Sequence, residues 1–241
     1  MRFSHLLRHG ALAGAVAGVS AASVLWLVVE PVIRRALAVE DARPSHEHAH
    51  EELVTRGQQV VAGILTAGIV GVLFGVAFAV VFAKARHRLP GRTDQGRVAV
   101  LAAIGYAVFV LLPALTVPAN PPSVGDPDTV TRRTLLYLLT ILVGALLAGL
   151  LFAADRWLGG RVGRDAVRRT AVVLLGAAAV TALLVVMPAP DPIPGDVPAA
   201  LIWDFRMASL AQLAAMWGAL GLVFGLLVDQ EEATVREPVA V

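Results

Sequence analysis

The chain contains no cysteine and a single lysine, Lys84. Without thiols it can form no disulfide, thiolate metal site or iron–sulfur cluster. The lone lysine is followed by Ala85, so the Gly-Lys-Ser/Thr of a phosphate-binding P-loop is missing. That excludes a P-loop ATPase and leaves Schiff-base chemistry one poorly placed candidate. Charge is also scarce: 16% of residues are Asp, Glu, Lys or Arg, against roughly 25% in soluble domains. The isoelectric point near 9.6 does not indicate a nucleic-acid partner. Twenty Lys and Arg are nearly balanced by eighteen Asp and Glu, and most basic residues flank apolar runs.

In place of charge there are long apolar stretches. Hydrophobic residues make up 57% of the chain, and mean hydropathy is +0.74. Six stretches of about 20 apolar residues are each long enough to cross a bilayer: 10–33, 59–83, 98–117, 134–154, 171–187 and 199–228. The first begins like a signal peptide, with Arg2 and Arg8 ahead of it. Its continuation through Trp26, Leu27, Val28 and Val29 makes it a retained span. The expected fold is all-α, a single membrane domain (1–241) of six transmembrane helices in a cell inner membrane.

Basic residues in the loops set the orientation. With the N-terminus inside, the inner side receives Arg2 and Arg8, the basic residues of 84–97 and 156–169, and Arg236, thirteen in all. Six fall outside. The expectation is N-in, C-in. Three loops then face outward: a His/Glu-rich one at about 34–58 and two Pro/Asp-rich ones at about 117–133 and 188–198. The last two carry Asp126, Asp128, Asp191 and Asp196. They read as loop breakers, or alternatively as a cap whose carboxylates concentrate cations.

Small residues recur four apart, at Gly14, Gly18 and Ala22, and at Gly63, Ala67, Gly71 and Gly75. Such stripes let helices approach closely in lipid. Arg56, Arg132 and Arg206 open the even-numbered spans at intervals of 76 and 74 residues, a faint sign of tandem helical hairpins.

The first outer loop contains His46, Glu47, His48, Ala49, His50, Glu51 and Glu52, with half of the six histidines. Imidazole and carboxylate together suit cobalt, nickel, zinc or manganese. If the segment is extended, His46, His48 and His50 share a face. If it is helical, His46 and His50 do and His48 points away. Residues 46–50 also match the His-Glu-x-x-His of zinc proteases, with Glu47 as the base, but in an inter-span loop with no third ligand beyond Glu51 or Glu52. Glu30, before Pro31, stands at the expected outer end of the first span with Arg34 nearby. Asp204 and Arg206 lie within the last span, where ionisable groups need partners. Arg206 is expected to pair with Glu30 across the bundle, as a gate or a structural tie, and Tyr106 and Gln212 add polar surface inside it.

Taken in order, these segments resemble the CbtA family of predicted cobalt transporter subunits. The features are Val29-Glu30-Pro31, the His46-Glu47-His48 segment followed by Arg56, and Pro113-Ala114-Leu115 with Pro118. Pro198 through Arg206 to Ser209-Leu210 completes the set. The resemblance covers nearly the whole chain. It implies cobalt uptake associated with cobalamin synthesis and a small single-span partner, CbtB, with its own histidine-rich end.

The expected function is therefore non-enzymatic. A divalent metal, Co2+ or Ni2+, is cargo, with no tightly bound cofactor. Capture falls to His46, His48 and His50 with Glu47 and Glu51, and Glu30 is the next station. Asp204 and Arg206 form a structural or gating pair. Two other classes remain: a non-transporting metal-binding component for assembly or sensing, and a membrane metalloprotease.

Overall fold

A computed structural model of the chain describes residues 2–42, 55–122 and 124–236. These residues are helical, with no strand among them. Six helices are long and apolar enough to cross a membrane. We number them α1 (Phe3–Asp41), α2 (Arg56–Ala85), α3 (Asp94–Thr116), α4 (Val130–Gly159), α5 (Asp165–Val186) and α6 (Ala199–Arg236). The described chain forms two compact units. One contains α1, α2, the first part of α3 and α6; the other contains the rest of α3 with α4 and α5.

α1 is longer than the apolar pattern predicts. It continues past Ile33 and through Pro31 to Asp41. A proline inside a helix cannot donate to the carbonyl four residues back, here Leu27, and its ring pushes that carbonyl aside. The helix accommodates this with a π turn at Leu25–Val29, in which the Glu30 amide donates to Leu25 O, five residues back. Glu30 consequently lies within a helix and not at its C-terminal end. α3 repeats the device: a π turn at Ala107–Leu111 again ends two residues before a proline, Pro113. There the carbonyl displaced by the proline, Phe109 O, accepts a hydrogen bond from the Tyr137 hydroxyl at 3.4 Å. A membrane interior demands such replacement partners.

In the first unit, α1 and α2 pack backbone against backbone. Gly10 faces Gly75, Gly14 faces Gly71, and Gly18 faces Ala67 and Gly68. Each step of four along α1 is answered by a step of four back along α2, the signature of an antiparallel pair. A Cβ on Gly71 would lie 2.7 Å from Gly18 Cα, and one on Gly75 would lie 2.7 Å from Gly14 Cα. Against this hairpin lies α6, joined by edge-to-face rings in the order Phe74, Trp217, Phe78, Phe224 and Phe82, with centroids 5.5–6.3 Å apart. Phe82, Leu220, Phe224 and Val228 are fully buried here. Trp217 also lies over Gly105 of α3, so closely that any side chain at 105 would strike the indole.

In the second unit, the Thr116 and Thr140 hydroxyls meet at 3.1 Å, and Thr140 donates to Leu136 O. Arg168 joins α5 to Asp155 of α4 at 3.2 Å. Elsewhere the spans expose large apolar side chains such as Leu150, Val173, Val185 and Val186, which suits contact with lipid.

Candidate functional site

Glu30 is the most deeply buried carboxylate among the residues singled out from sequence, at 5% exposure. The π turn and Pro31 set its place on α1, and it accepts a hydrogen bond from Arg34 Nε at 3.0 Å, one turn on. The next residue, Arg35, reaches Asp204 on α6 at 3.0 Å, with both side chains well exposed. Arg206, expected to reach Glu30, donates to Asn120 Oδ1 at 3.1 Å. Asp204 and Arg206 thus engage different segments, as their two-residue spacing on a helix requires. Glu30, Asp204 and Arg206 belong to the same unit, where α1 and α6 pack together. Arg35 and Asn120 were not foreseen. Arg35 looked like an orientation charge, and Asn120 sits in a proline-rich loop with no periodicity to assign it a neighbour.

His46, Glu47, His48, His50 and Glu51 lie outside the described residues. Among the described residues, no three His, Asp or Glu side chains stand together so as to hold a metal ion. The chain re-enters helix at a capping box: the Gln58 amide donates to Thr55 Oγ1 at 3.4 Å, and the Thr55 amide donates to Gln58 Oε1 at 2.9 Å. Of the aspartates in the two Pro/Asp-rich loops, Asp126 accepts from the Asp128 amide at 2.9 Å, and Asp191 pairs with Arg132 at 3.4 Å. Those contacts fit loop-shaping roles.

At the other end of the helices lie two clusters that sequence reading passed over. Asp94 opens α3, Thr93 Oγ1 accepts from the Gly96 amide at 3.1 Å, and Gly91 takes a positive φ of 150° in the turn before it. The Asp94 carboxylate is held between Arg86, at the end of α2, and Arg97 Nη1 at 2.5 Å. His5 and His9 on α1 face Glu231 on α6. In sequence Arg86 and Arg97 are indistinguishable from charges that set orientation, and His5 and Glu231 are 226 residues apart. No local pattern links partners so distant.

Between α3 and α6 a cavity of about 430 Å³ is lined by Ala99, Ala102, Ala103, Gly218 and Gly221, with Gln95 and Tyr106 as its polar members besides Trp217. The Tyr106 hydroxyl donates to Leu210 O at 3.3 Å. With no carboxylate or imidazole in its wall, the cavity offers a metal cation little.

No curated protein and no solved structure matches the chain. The family model described as a probable cobalt transporter subunit (CbtA) matches residues 3–229, from the start of α1 almost to the end of the apolar part of α6, and the chain therefore belongs to the CbtA family.

Proposed function

We propose that this chain is the membrane subunit through which a divalent transition metal, cobalt ahead of nickel, enters the cell. Both termini are cytoplasmic in this reading, and the segment joining α1 to α2, shorter than the 34–58 expected because 34–41 and 56–58 are helical, faces outward from the inner membrane. His46, His48 and His50, assisted by Glu47 and Glu51, take the ion from outside, and Glu30 receives it next. Asp204 and Arg206, through Arg35 and Asn120, hold or gate the mouth. A small single-span CbtB-like partner completes the transporter. The missing P-loop means that a gradient, the membrane potential or a partner drives uptake.

The observation that carries the reading is the buried Glu30 in a family of cobalt transporter subunits. A carboxylate in a low-dielectric setting attracts a cation strongly, and the π turn interrupts the regular helix beside it. Such turns concentrate at functional sites. Arg206 places a permanent positive charge near the mouth, which favours stepwise hand-over above an open pore.

Two results are expected from cobalt uptake into proteoliposomes containing the partner. Replacing His46, His48 and His50 together by alanine should lower uptake at limiting metal by about tenfold or more, with folded yield unchanged; unaltered uptake would remove the capture role. Glu30→Gln should also lower uptake by about tenfold or more. Arg34 is 66% exposed, so water can solvate it once the carboxylate is neutralised. Wild-type uptake by Glu30→Gln would exclude Glu30 from the path. Metal binding without uptake by the wild-type pair would make the chain an assembly or sensing component instead.

A further inference from the structure

We infer that His5, His9 and Glu231 form a second site for the same kind of divalent ion, at the end of the helices remote from the His/Glu loop. His5 and His9 are one turn apart on α1, so their imidazoles share a face, and Glu231 comes to them from α6. His5 Nδ1 lies 2.9 Å from Glu231 Oε1, and His9 Nδ1 lies 3.6 Å from Glu231 Oε2. His9 Nδ1 and Glu231 Oε2 are both buried without a hydrogen-bond partner. Buried polar atoms are rarely left so, and 3.6 Å is too long for a hydrogen bond. It is close to the ~3.3–3.6 Å that separates two ligand atoms bonded at about 2.0–2.2 Å to one tetrahedral ion, whereas the 2.9 Å between His5 and Glu231 is a hydrogen bond that the ion would replace.

The trio does not yet close on a point, in keeping with the absence of a preformed metal cluster among the described residues. His5 is 41% exposed, against 20% for His9 and 18% for Glu231, so it is the ligand with room to turn inward. Two imidazoles and a carboxylate suit cobalt, nickel or zinc. Along α1, His5 is ~54 Å from Asp41 at 1.5 Å per residue, more than the ~30 Å apolar thickness of a bilayer. The two ends of α1 therefore reach beyond the apolar thickness of a bilayer on either side, and on the uptake reading above this site is the point of departure.

The test is a Co2+ titration of the purified full-length chain, followed by equilibrium dialysis and the visible absorption of the bound ion. With His46, His48 and His50 replaced by alanine and Glu30 by glutamine, to remove the other two stations, one Co2+ per chain should remain. Adding Glu231→Gln, which keeps the shape and can still hydrogen-bond His5, should weaken that binding at least about tenfold while leaving the melting temperature close to its parent. His9→Asn should act likewise, and serves if Glu231→Gln folds poorly. Unchanged Co2+ affinity in a folded variant, or a lower melting temperature with full metal binding, would reduce the cluster to a latch between α1 and α6 and overturn the proposal. The titration is independent of uptake, so failure of loop capture would leave its outcome unaffected.

Discussion

Replacing Asp94 by alanine is expected to destabilise the folded chain by about 3 kcal/mol or more. Removing one partner of a buried ion pair typically costs about 3–5 kcal/mol, because the remaining charge loses its compensation. Here one carboxylate, 1% exposed, is shared by two guanidiniums, Arg86 and Arg97, which retain 21% and 28% exposure. Water can relieve the arginines in part, which places the cost toward the lower end of the range. Asp94 also stands in the first turn of α3, where a negative charge complements the helix dipole. At about 2–4 °C per kcal/mol for a chain of this size, the melting temperature in detergent should fall by roughly 6–12 °C. Arg97→Ala should cost less, since Arg86 still holds the carboxylate. A fall of less than about 2 °C for Asp94→Ala would show that the clasp does not stabilise the α2–α3 turn.

The second large effect is expected along the glycine seam. A Cβ on Gly14 would meet Gly75 Cα at 3.0 Å and collide with Gly71 O. These are backbone atoms, so no rotamer change relieves the contact and the helices themselves must separate. Gly14→Val or Gly75→Val should therefore cost at least the ~1–3 kcal/mol of ordinary overpacking, because the same movement loosens the whole row from Gly10 to Gly18. Gly68→Ala is the matched control. A Cβ there meets nothing within 4 Å, although the residue sits beside the seam. An alanine at that place should hold stability or raise it by up to ~1 kcal/mol, as replacement of a helical glycine does when the space is open. Unfolding in detergent compares the three; equal stability of Gly14→Val and Gly68→Ala would remove the close-approach account.

The spans were readable from the sequence because lipid imposes one simple demand, about 20 apolar residues per crossing, and the six stretches meet it. Glycine spacing revealed that some helices approach closely but not which ones. Gly63, counted in the stripe, meets only the Leu25 side chain at 3.5 Å, whereas Gly10, taken as the start of a span, is in the seam. The apolar run ends at Ile33, but the helix runs on past a π turn to Asp41, so the end of the apolar pattern is not the end of the helix and Glu30 lies inside it.

Charged partners were the least legible. Asp204 was marked because a carboxylate inside an apolar run is conspicuous, yet its partner Arg35 looked like any flanking charge. Asp94 and His5 lie at helix ends, where polar residues are ordinary. Only the fold shows that Asp94 is enclosed and that His5 meets Glu231.

The seam between α1 and α2 contains backbone and almost no side chain. Two helices in such contact have no compressible layer between them and no rotamers to rearrange, so sliding one past the other would drive carbonyl oxygen into carbonyl oxygen. The pair must act as a single stiff lever. The slack needed for any rocking motion in this unit then has to come from the side-chain-rich contacts with α6 and from the π turn that separates the seam from Glu30.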